Sequence, residues 1–378
     1  MTAPGIDGSD SNHVLLTADC HYAVPALVTA ASILSAYRSA MPLVLHLASD
    51  KPDADFEAAF QRLVAQYPFA RFAFHLIDID GFTSGKPLPY GTPSYMTYAR
   101  LLCGRFLPPG LTRVLYLDTD MLCLRDIGEL FSAVKLDKPV GMVAGHYANR
   151  ACPWKVCVPF APQEPGESGV VYSAGFMLLD MQAWRERTEA MLDVFTTHRN
   201  QLPHVDQSVI NYVWRGQIQP LDRVCNHLAG AADTHADEVL HFIGRVKPWS
   251  PAIQTSGPVA LWWAYYAHHV RPILPERLRL EKEHDWRRLF TVPLRERIVV
   301  SFPHLVNILV GACRLGRRSA RQRRDDLDYL VAKRDVFRGR YGWMKEFRQA
   351  ADDVQAGSAR RRERQAPRPA SPGSEAAR

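Results

Sequence analysis

The first third of the chain alternates short apolar runs with stretches that have helical spacing. The runs at 13–19, 42–49, 71–78 and 113–120 have the composition of β-strands, and the stretches between them are amphipathic or rich in small residues. Strands that alternate with helices favour an α/β domain built on a mostly parallel sheet flanked by helices. In such a sheet, ligands bind beyond the carboxyl ends of the strands, so residues that follow a strand are the first functional candidates.

Two of these runs end in carboxylates. Asp19 follows the first run, and Asp118 and Asp120 close the fourth run in the sequence LYLDTDML. Two acids separated by one residue at the end of a buried strand can face one divalent cation, and oxygen ligands suit Mg²⁺ or Mn²⁺. Such a cation neutralises a diphosphate and makes it a better leaving group. For Asp19 the alternative role is to start a turn, which is common after a strand.

Two later segments carry further candidates. In HFIGRVKPW, His241 offers a nitrogen ligand that shifts metal preference toward Mn²⁺, Lys247 can meet phosphate oxygens, and Gly244 allows close backbone approach. In HVDQSVIN, Asp206 can bind sugar hydroxyls and the carboxamide of Gln207 can face an anomeric carbon. The structural alternatives are a core histidine with a surface lysine, and an acid that complements a helix dipole.

The charge of the chain is concentrated near its carboxyl terminus. From Arg295 onward there are 20 Lys and Arg against 10 Asp and Glu. The preceding residues carry 26 Lys and Arg against 29 Asp and Glu. A basic segment of this kind is typical of contact with an anionic membrane or a nucleic acid. The apolar and Arg-rich runs between 295 and 324 fit an amphipathic segment at a membrane surface, or a packed helix with a solvated basic end. The densest Arg runs lack interleaved aromatic residues, so we expect no nucleic-acid partner.

We expect a cytoplasmic protein, and its basic segment adds the expectation of peripheral attachment to the inner face of a membrane. The first ten residues lack the features of a secretory signal, and no run of about 18 apolar residues occurs. The seven cysteines are scattered, as is typical of reduced thiols, although the spacing of Cys152 and Cys157 leaves a zinc site as an alternative. The predicted organisation is a disordered start (1–12), a catalytic α/β domain (13–250), a helical extension (251–355) and a disordered basic tail (356–378).

Six segments, in this order, resemble glycosyltransferase family 8, which includes bacterial lipopolysaccharide galactosyl- and glucosyltransferases and glycogenin. The likeness covers residues 13–250. The resemblance implies a GT-A fold, to which this chain adds a basic helical carboxyl-terminal extension. It also implies a UDP-hexose donor, Mn²⁺ (or Mg²⁺), and retention of anomeric configuration. The segments are LLTADCHY (15–22), TYARLLCGRFLP (97–108), RVLYLDTDML (113–122), SAGFMLLDMQAWR (173–185), VDQSVIN (205–211) and HFIGRVKPW (241–249).

The resemblance also implies roles for single residues. Asp118, Asp120 and His241 match the metal ligands. Asp206 and Gln207 match the catalytic pair at the donor sugar, with Gln207 on the face where a nucleophile would attack. The matches that bind the donor are Thr17, Asp19, His21 and Tyr22 at uridine, Arg100 near the sugar and the first metal acid, Thr119 between the two acids, and Gly244 and Lys247 at the diphosphate.

Three places depart from the usual pattern of the family. Ser173 stands where the family often has Asn before Ala-Gly, which shortens a hydrogen-bonding group expected near the sugar. The first loop, Asp19–Tyr22, reads Asp-Cys-His-Tyr rather than Asp-Asp-Asn-Tyr. The strand at 140–145 is often followed by an acid, but Gly145–Tyr147 offers none. The departures bear on the sugar and the acceptor rather than on the metal.

The sequence therefore predicts a retaining glycosyltransferase that moves galactose or glucose from a UDP-sugar to a saccharide acceptor, in lipopolysaccharide or other cell-surface glycan synthesis. The alternatives are a hydrolase or nucleotidyltransferase with the same metal site, and a non-catalytic UDP-sugar-binding relative. An aromatic cluster at 262–266 either lines the acceptor side or belongs to the core.

Overall fold

The computed structural model describes residues 10–79, 81, 94–147, 150–151, 153–165, 169–229, 234–244, 247–250, 256–289 and 345–361. The predicted disorder of residues 1–12 falls largely on residues 1–9, which lie outside the described part, but Asn12 is buried and begins the first strand. The tail after 361 and the basic amphipathic segment within 290–344 also lie outside the described residues.

Twelve strands lie in the described part of the chain. Seven of them form a central sheet in the order β10-β6-β9-β4-β1-β2-β3, and only β9 runs antiparallel to its neighbours in this sheet. The predicted mostly parallel sheet is therefore confirmed. The strands are β1 (Asn12–Thr17), β2 (Leu43–Ser49), β3 (Ala70–Leu76), β4 (Arg113–Leu117), β5 (Met121–Cys123), β6 (Val140–Ala144), β7 (His146–Tyr147), β8 (Arg150–Ala151), β9 (Tyr172–Asp180), β10 (Ile218–Leu221), β11 (His227–Leu228) and β12 (Val239–His241).

Helices cover both faces of this sheet. They are α1 (Ala23–Ala36), α2 (Ala54–Val64), α3 (Cys103–Phe106), α4 (Gly128–Ala133), α5 (Trp154–Cys157), α6 (Met181–His198), α7 (Val205–Val213), α8 (Gly257–Tyr265), α9 (Trp286–Leu289) and α10 (345–361). Shorter 3₁₀ turns lie at Cys20–Tyr22, Tyr95–Leu102, Arg199–Gln201, Arg223–Cys225, Arg271–Ile273 and Glu276–Leu278, and a π-helical turn at Tyr266–Val270 continues α8.

The burial of the sheet on both faces explains why its strands are continuous apolar runs. Val14 and Leu16 of β1 pack with α1, α2 and α8, whereas Leu15 faces the opposite cluster with α6 and α7. Parallel strands that are covered on both sides need apolar residues at every position. Asp53 is the N-cap of α2, because its carboxylate accepts hydrogen bonds from two backbone N–H groups of the first turn.

The stretch 94–106, one of the helical stretches between the apolar runs, combines two helical geometries. It forms a 3₁₀ helix over Tyr95–Leu102 that continues into α3. Residues three apart lie on the same side of a 3₁₀ helix. Thr97 and Arg100 therefore both face Asp206, which an α-helix of 3.6 residues per turn would align less well.

A small second sheet brings distant residues together. It has the order β11-β12-β5, and β12 pairs antiparallel with β5 so that His241 lies opposite Met121. Since β5 directly follows the two acids at the end of β4, this pairing places the imidazole beside them.

The helices after residue 256 complete the main core. Trp262, Trp263 and Tyr266 are at most 1% exposed, so the aromatic cluster is core rather than a lining of the acceptor side. Phe347 of α10 packs against Gly257 at the start of α8. Helix α10 continues to residue 361, so residues 356–361, which we expected to be disordered, are helical. The buried Ser358 there donates a hydrogen bond to the carbonyl of His268.

No helix formed by the described residues is both long and apolar enough to cross a membrane. The five cysteines of this part of the chain are free thiols, and all but Cys20 are buried. Cys152 lies outside it, and the zinc alternative with Cys157 stays a prediction.

Candidate active site at the carboxyl edge of the sheet

Asp118, Asp120 and His241 converge where β4 ends. The Nε2 atom of His241 lies 3.2 Å from Oδ1 of Asp120 and 3.7 Å from Oδ2 of Asp118. Ligand atoms of the three residues all lie within 4.8 Å of one another. Two carboxylates and one imidazole fit a divalent cation such as Mn²⁺ or Mg²⁺. The buried Thr119 between the acids accepts a hydrogen bond at its carbonyl from the hydroxyl of Thr29.

The close approach of these ligands depends on Gly175 of β9. A Cβ atom built on this glycine would lie 2.5 Å from Cε1 of His241 and 2.9 Å from Oδ2 of Asp118. Real Cβ atoms do not approach neighbours this closely, so any larger residue would push the two ligands apart. The Ala-Gly pair in the segment 173–185 is thus part of the site geometry.

Arg100 lies beneath the site and joins two acids. Its guanidinium is 2.7 Å from Asp118 and 3.1 Å from Asp206, and it donates to the carbonyl of Ala174 at 2.7 Å. Burial lowers the pKa of Arg100, but the charges of Asp118 and Asp206 outweigh burial and hold the pKa above its ordinary value. Arg100 is 5% exposed. It is therefore placed to act on the donor through the two carboxylates that it orients.

A second support for Asp118 was missed by the sequence reasoning. The hydroxyl of Tyr116 donates to Oδ1 of Asp118 at 2.9 Å and lies 3.1 Å from the hydroxyl of Thr17. Burial raises the pKa of Tyr116, so its hydroxyl keeps its proton and remains a donor. Thr17, predicted at uridine, is buried behind Asp118 in this network. The one available signal was that Tyr116 shares a face of β4 with Asp118, two residues later.

Asp120 is paired with Lys247. The ammonium lies 2.5 Å from Oδ2 of Asp120 and donates to the carbonyl of Phe242 at 2.6 Å. Burial raises the pKa of Asp120, but His241 and Lys247 together bring it below its ordinary value, so Asp120 is ionised. Gly244 has a φ of 99°, which favours glycine, and it lies exposed beside this pair.

Asp206 and Gln207 begin α7 on the other side of Arg100. Burial, together with the charge of Asp118, raises the pKa of Asp206 to about 6, although Arg100 opposes the shift. The Oε1 atom of Gln207 accepts a hydrogen bond from the backbone N–H of Ala174 at 3.3 Å. Val205, directly before this pair, has a φ of 53°. A β-branched residue in the left-handed region is strained, and such strain clusters at functional sites.

The first loop lies at the carboxyl end of β1. The carboxylate of Asp19 accepts hydrogen bonds from the backbone N–H groups of His21 (2.9 Å) and Tyr22 (3.0 Å), and from the hydroxyl of Ser94 (2.5 Å). The alternative role of Asp19 as a turn-starting residue is therefore confirmed. His21 is exposed.

The ring of Tyr22 is half-buried and meets Trp249 edge to face, with 5.8 Å between ring centroids. Burial, reinforced by Asp120, Asp19 and Asp118, raises the pKa of Tyr22 to about 12. Trp249 belongs to a segment that the resemblance included, but its contact with Tyr22 was not predicted.

Comparisons with known proteins point to a single family. The sequence profile of glycosyl transferase family 8 matches residues 13–252. The lipopolysaccharide 1,3-galactosyltransferase of Salmonella typhimurium is 26% identical over 238 residues, which are 59% of this chain and 68% of that enzyme. Glycosyltransferase GlyA of Streptococcus pneumoniae is 25% identical over 287 residues, 70% of this chain but only 37% of GlyA.

Among solved structures, the galactosyltransferase LgtC in complex with donor and acceptor sugar analogs aligns with a TM-score of 0.53 at 21% identity. The alignment covers 75% of this chain and 99% of LgtC. This likeness confirms the expected GT-A fold, and the family profile spans more than half of the chain. The chain belongs to glycosyltransferase family 8 and is a glycosyltransferase.

Proposed function

We propose that the chain is a retaining hexosyltransferase, which moves galactose or glucose from a UDP-sugar to a saccharide acceptor in lipopolysaccharide or other cell-surface glycan synthesis. The observation that carries this proposal is the convergence of Asp118, Asp120 and His241 beside Lys247. The name of the Salmonella relative supports a galactose donor and a lipopolysaccharide acceptor.

Asp118, Asp120 and His241 would hold the cation, and the imidazole favours Mn²⁺ over Mg²⁺. The fit is supported by the close packing of their ligand atoms and by the lack of a Cβ at Gly175. When bound, a divalent cation supplies charge neutralisation for the diphosphate of the leaving UDP.

The residues of the chain bind and orient the donor. Lys247 donates to Asp120 and to the carbonyl of Phe242, and its third N–H and its compact charge suit the diphosphate, close in sequence to the flexible backbone at Gly244. The half-buried ring of Tyr22, supported by Trp249, suits stacking on uracil. Asp19 and His21 lie in the same loop and complete the proposed uridine contacts, while Thr17, Arg100 and Thr119 act by holding the loops and acids in place.

Asp206 and Gln207 are the proposed catalytic pair. The sugar passes through an oxocarbenium-like state, as in glycoside hydrolysis, and the buried carboxylate of Asp206 stabilises the developing positive charge. Gln207 is a poor nucleophile because its amide oxygen lacks the charge of a carboxylate. We therefore favour attack by the acceptor on the face that UDP leaves, with the departing phosphate as the base. A trapped glycosyl adduct on Asp206 or Gln207 would contradict this mechanism.

The proposed organisation is a catalytic domain over 13–250 and a helical extension from 251, with peripheral attachment to the cytoplasmic face of a membrane through the basic region. The support is the excess of Lys and Arg after Arg295. Sedimentation with anionic vesicles, compared with neutral vesicles and with RNA over a range of salt concentrations, tests this part. Equal binding to neutral vesicles, or preferential binding to RNA, would contradict it.

The first experiment measures UDP release from a panel of UDP-hexoses, with Mn²⁺ or with EDTA and with or without saccharide acceptors. We expect release from one sugar, dependent on acceptor, that falls roughly 10³-fold in Asp120→Ala, because stabilisation of the leaving group is lost. Asp137→Ala removes an exposed acid elsewhere on the domain and should release UDP normally.

The alternatives give different results. A hydrolase releases UDP without any dependence on acceptor. A non-catalytic relative binds UDP with Mn²⁺ in calorimetry but releases nothing from any donor. Release that is unaffected by EDTA and by Asp120→Ala would reject the metal site.

A further inference from the structure

We infer that Asn226 is a positioning residue for His241: its side-chain oxygen holds the imidazole as the tautomer whose Nε2 is free to ligate, and Ser173 anchors the Asn226 amide. The inference rests on the proposed metal site and adds two residues to it.

Two hydrogen bonds connect His241 to Asn226 and Asn226 to Ser173, on the side of the imidazole away from Nε2. Nδ1 of His241 lies 2.9 Å from Oδ1 of Asn226, and Nδ2 of Asn226 donates to the hydroxyl of Ser173 at 2.9 Å. All three side chains are at most 8% exposed. With little access to water, these groups depend on one another for their hydrogen bonds.

The tautomer of His241 matters because two partners compete for its single ring proton. On one side, Nε2 faces a carboxylate oxygen of Asp120 at 3.2 Å, which would accept a hydrogen bond from an Nε2–H group. On the other side, the side-chain oxygen of Asn226 accepts a hydrogen bond from an Nδ1–H group. Only the Nδ1–H tautomer leaves a lone pair on Nε2 for a cation, and a partner that accepts from Nδ1–H also makes the imidazole a better ligand.

Ser173 is the residue that departs from the family pattern near the sugar. In the structure its hydroxyl faces Asn226 and also lies 3.4 Å from the backbone N–H of Gly175. Its contact with the Nδ2 group keeps the oxygen of the amide directed toward His241. The departure at position 173 is therefore explained by support of a metal ligand rather than by contact with the sugar.

The backbone around Asn226 is itself well fixed. Asn226 directly precedes β11, which pairs with β12, and Leu228 lies opposite His241. The next residue, His227, forms a buried pair with Glu238 at 2.5 Å, and Glu238 lies directly before β12. Asn226 is thus held at the start of β11, the strand that pairs with the strand of His241, which suits a fixed hydrogen bond between them.

The test measures the affinity of the full chain for Mn²⁺ in the presence of UDP, from the electron paramagnetic resonance signal of free Mn²⁺. Asn226→Ala should raise the Mn²⁺ dissociation constant by roughly 10- to 100-fold, the usual effect of losing such a partner. Asn226→Asp keeps an oxygen facing Nδ1, and the hydroxyl of Ser173 can donate to it, so its affinity should stay close to that of the unchanged protein. The Mn²⁺ affinity of Ser173→Ala should lie between those of Asn226→Ala and Asn226→Asp.

Asn211→Ala is the matched control. Asn211 is also buried and hydrogen-bonded, but to backbone groups of Tyr172 and Gln207 rather than to a metal ligand. It should lower the melting temperature and leave the Mn²⁺ affinity unchanged. If Asn226→Ala does not fold, Asn226→Ser, whose side chain is too short to reach His241, replaces it.

The outcomes separate this inference from the proposed function. If the unchanged protein binds Mn²⁺ and His241→Ala weakens binding, the metal site stands. Unchanged affinity in Asn226→Ala, or equal weakening in Asn226→Ala and Asn226→Asp, then overturns the positioning role alone. If the unchanged protein binds no Mn²⁺ at all, the metal site fails and the inference falls with it.

Discussion

The two ends of the proposed donor cleft are built in opposite ways. At one end, the metal half (Asp118, Asp120 and His241, with Arg100 and Lys247) consists of charged side chains that are largely buried and paired. At the other end, the base half (Asp19–Tyr22 with Trp249) has an exposed histidine, a half-buried tyrosine and hydrogen bonds that are mainly local. Both ends lie at the carboxyl edge of the sheet, and the segment 247–250 contributes a residue to each.

This difference matches the chemistry that each end would perform. Charges that neutralise a diphosphate act most strongly where water is excluded, but each buried charge then needs a partner. A base is recognised mainly by stacking and a few hydrogen bonds, which tolerate exposure. We therefore expect substitutions in the metal half to affect both folding and activity, and substitutions in the base half to act mainly on donor affinity, with little effect on stability.

Of these substitutions, we expect Arg100→Met to lower the stability of the protein most. It leaves Asp118 and Asp206 without their shared cation, and removal of one partner from a buried ion pair costs about 3–5 kcal/mol. We expect the free energy of unfolding, measured with urea, to fall by this amount. The control is Arg105→Met, which breaks an exposed pair with Glu189 and should cost at most about 1 kcal/mol. Equal losses in the two variants would remove the distinction between buried and exposed charge.

Asp206→Asn should reveal the cost of keeping a carboxylate buried. The pKa of Asp206 is about 6 in the folded protein, above its ordinary value of 3.8, so the folded state binds this proton more tightly than the unfolded state. Ionisation therefore destabilises the fold as pH rises from about 4 to about 6, by about 2–3 kcal/mol in total. The stability of Asp206→Asn relative to the unchanged protein should rise over that window and then level off. A difference that is independent of pH would contradict the raised pKa.

Tyr22→Ala tests the base half. Loss of the ring removes a stacking contact worth about 1–3 kcal/mol, so the dissociation constant for UDP should rise roughly 5- to 150-fold. Tyr22→Phe keeps the ring and should bind UDP nearly normally. Calorimetry with UDP in EDTA isolates this effect from the cation. A large loss of stability in Tyr22→Ala would show that the base half is as structural as the metal half.

Asp19→Ala should have the smallest effect. The side chain caps the turn Cys20–Tyr22, and loss of such a cap costs about 1 kcal/mol. UDP affinity should fall by a few-fold, whereas Asp19→Asn, which also caps well, should retain it. If Asp19→Asn loses as much affinity as Asp19→Ala, the charge itself rather than the cap recognises the donor.

The sequence predicted the sheet and the carboxylates at its edge because both are encoded locally. Continuous apolar runs specify buried parallel strands, and Asp19, Asp118 and Asp120 directly follow such runs. His241 could be placed beside them only through the family resemblance, since its position depends on the pairing of β12 with β5. The resemblance could name matching residues but could not say which of them touch the cleft.

The supports of the site could not be read from the sequence because they arise from tertiary contacts. Tyr116 and Asn226 carry no local pattern that distinguishes them from core residues. Arg100 was expected near the sugar and the first metal acid, and it contacts Asp118, whereas the hydrogen bond from Thr17 to Tyr116 carried no signal in the sequence. The aromatic cluster at 262–266 could have lined the acceptor side or belonged to the core, and the burial of α8 beside α1 in the main core decides for the core.

Arg287 of α9 donates a hydrogen bond to Gln355 of α10, and both helices pack on α8. The segment 290–344 is therefore held at both ends by helices that pack on α8. The entropy lost in closing a loop grows only with the logarithm of its length, by about 0.6 kcal/mol for each doubling. Changes in the length of this basic segment should therefore cost little stability, and they need not alter the residues of the proposed donor site.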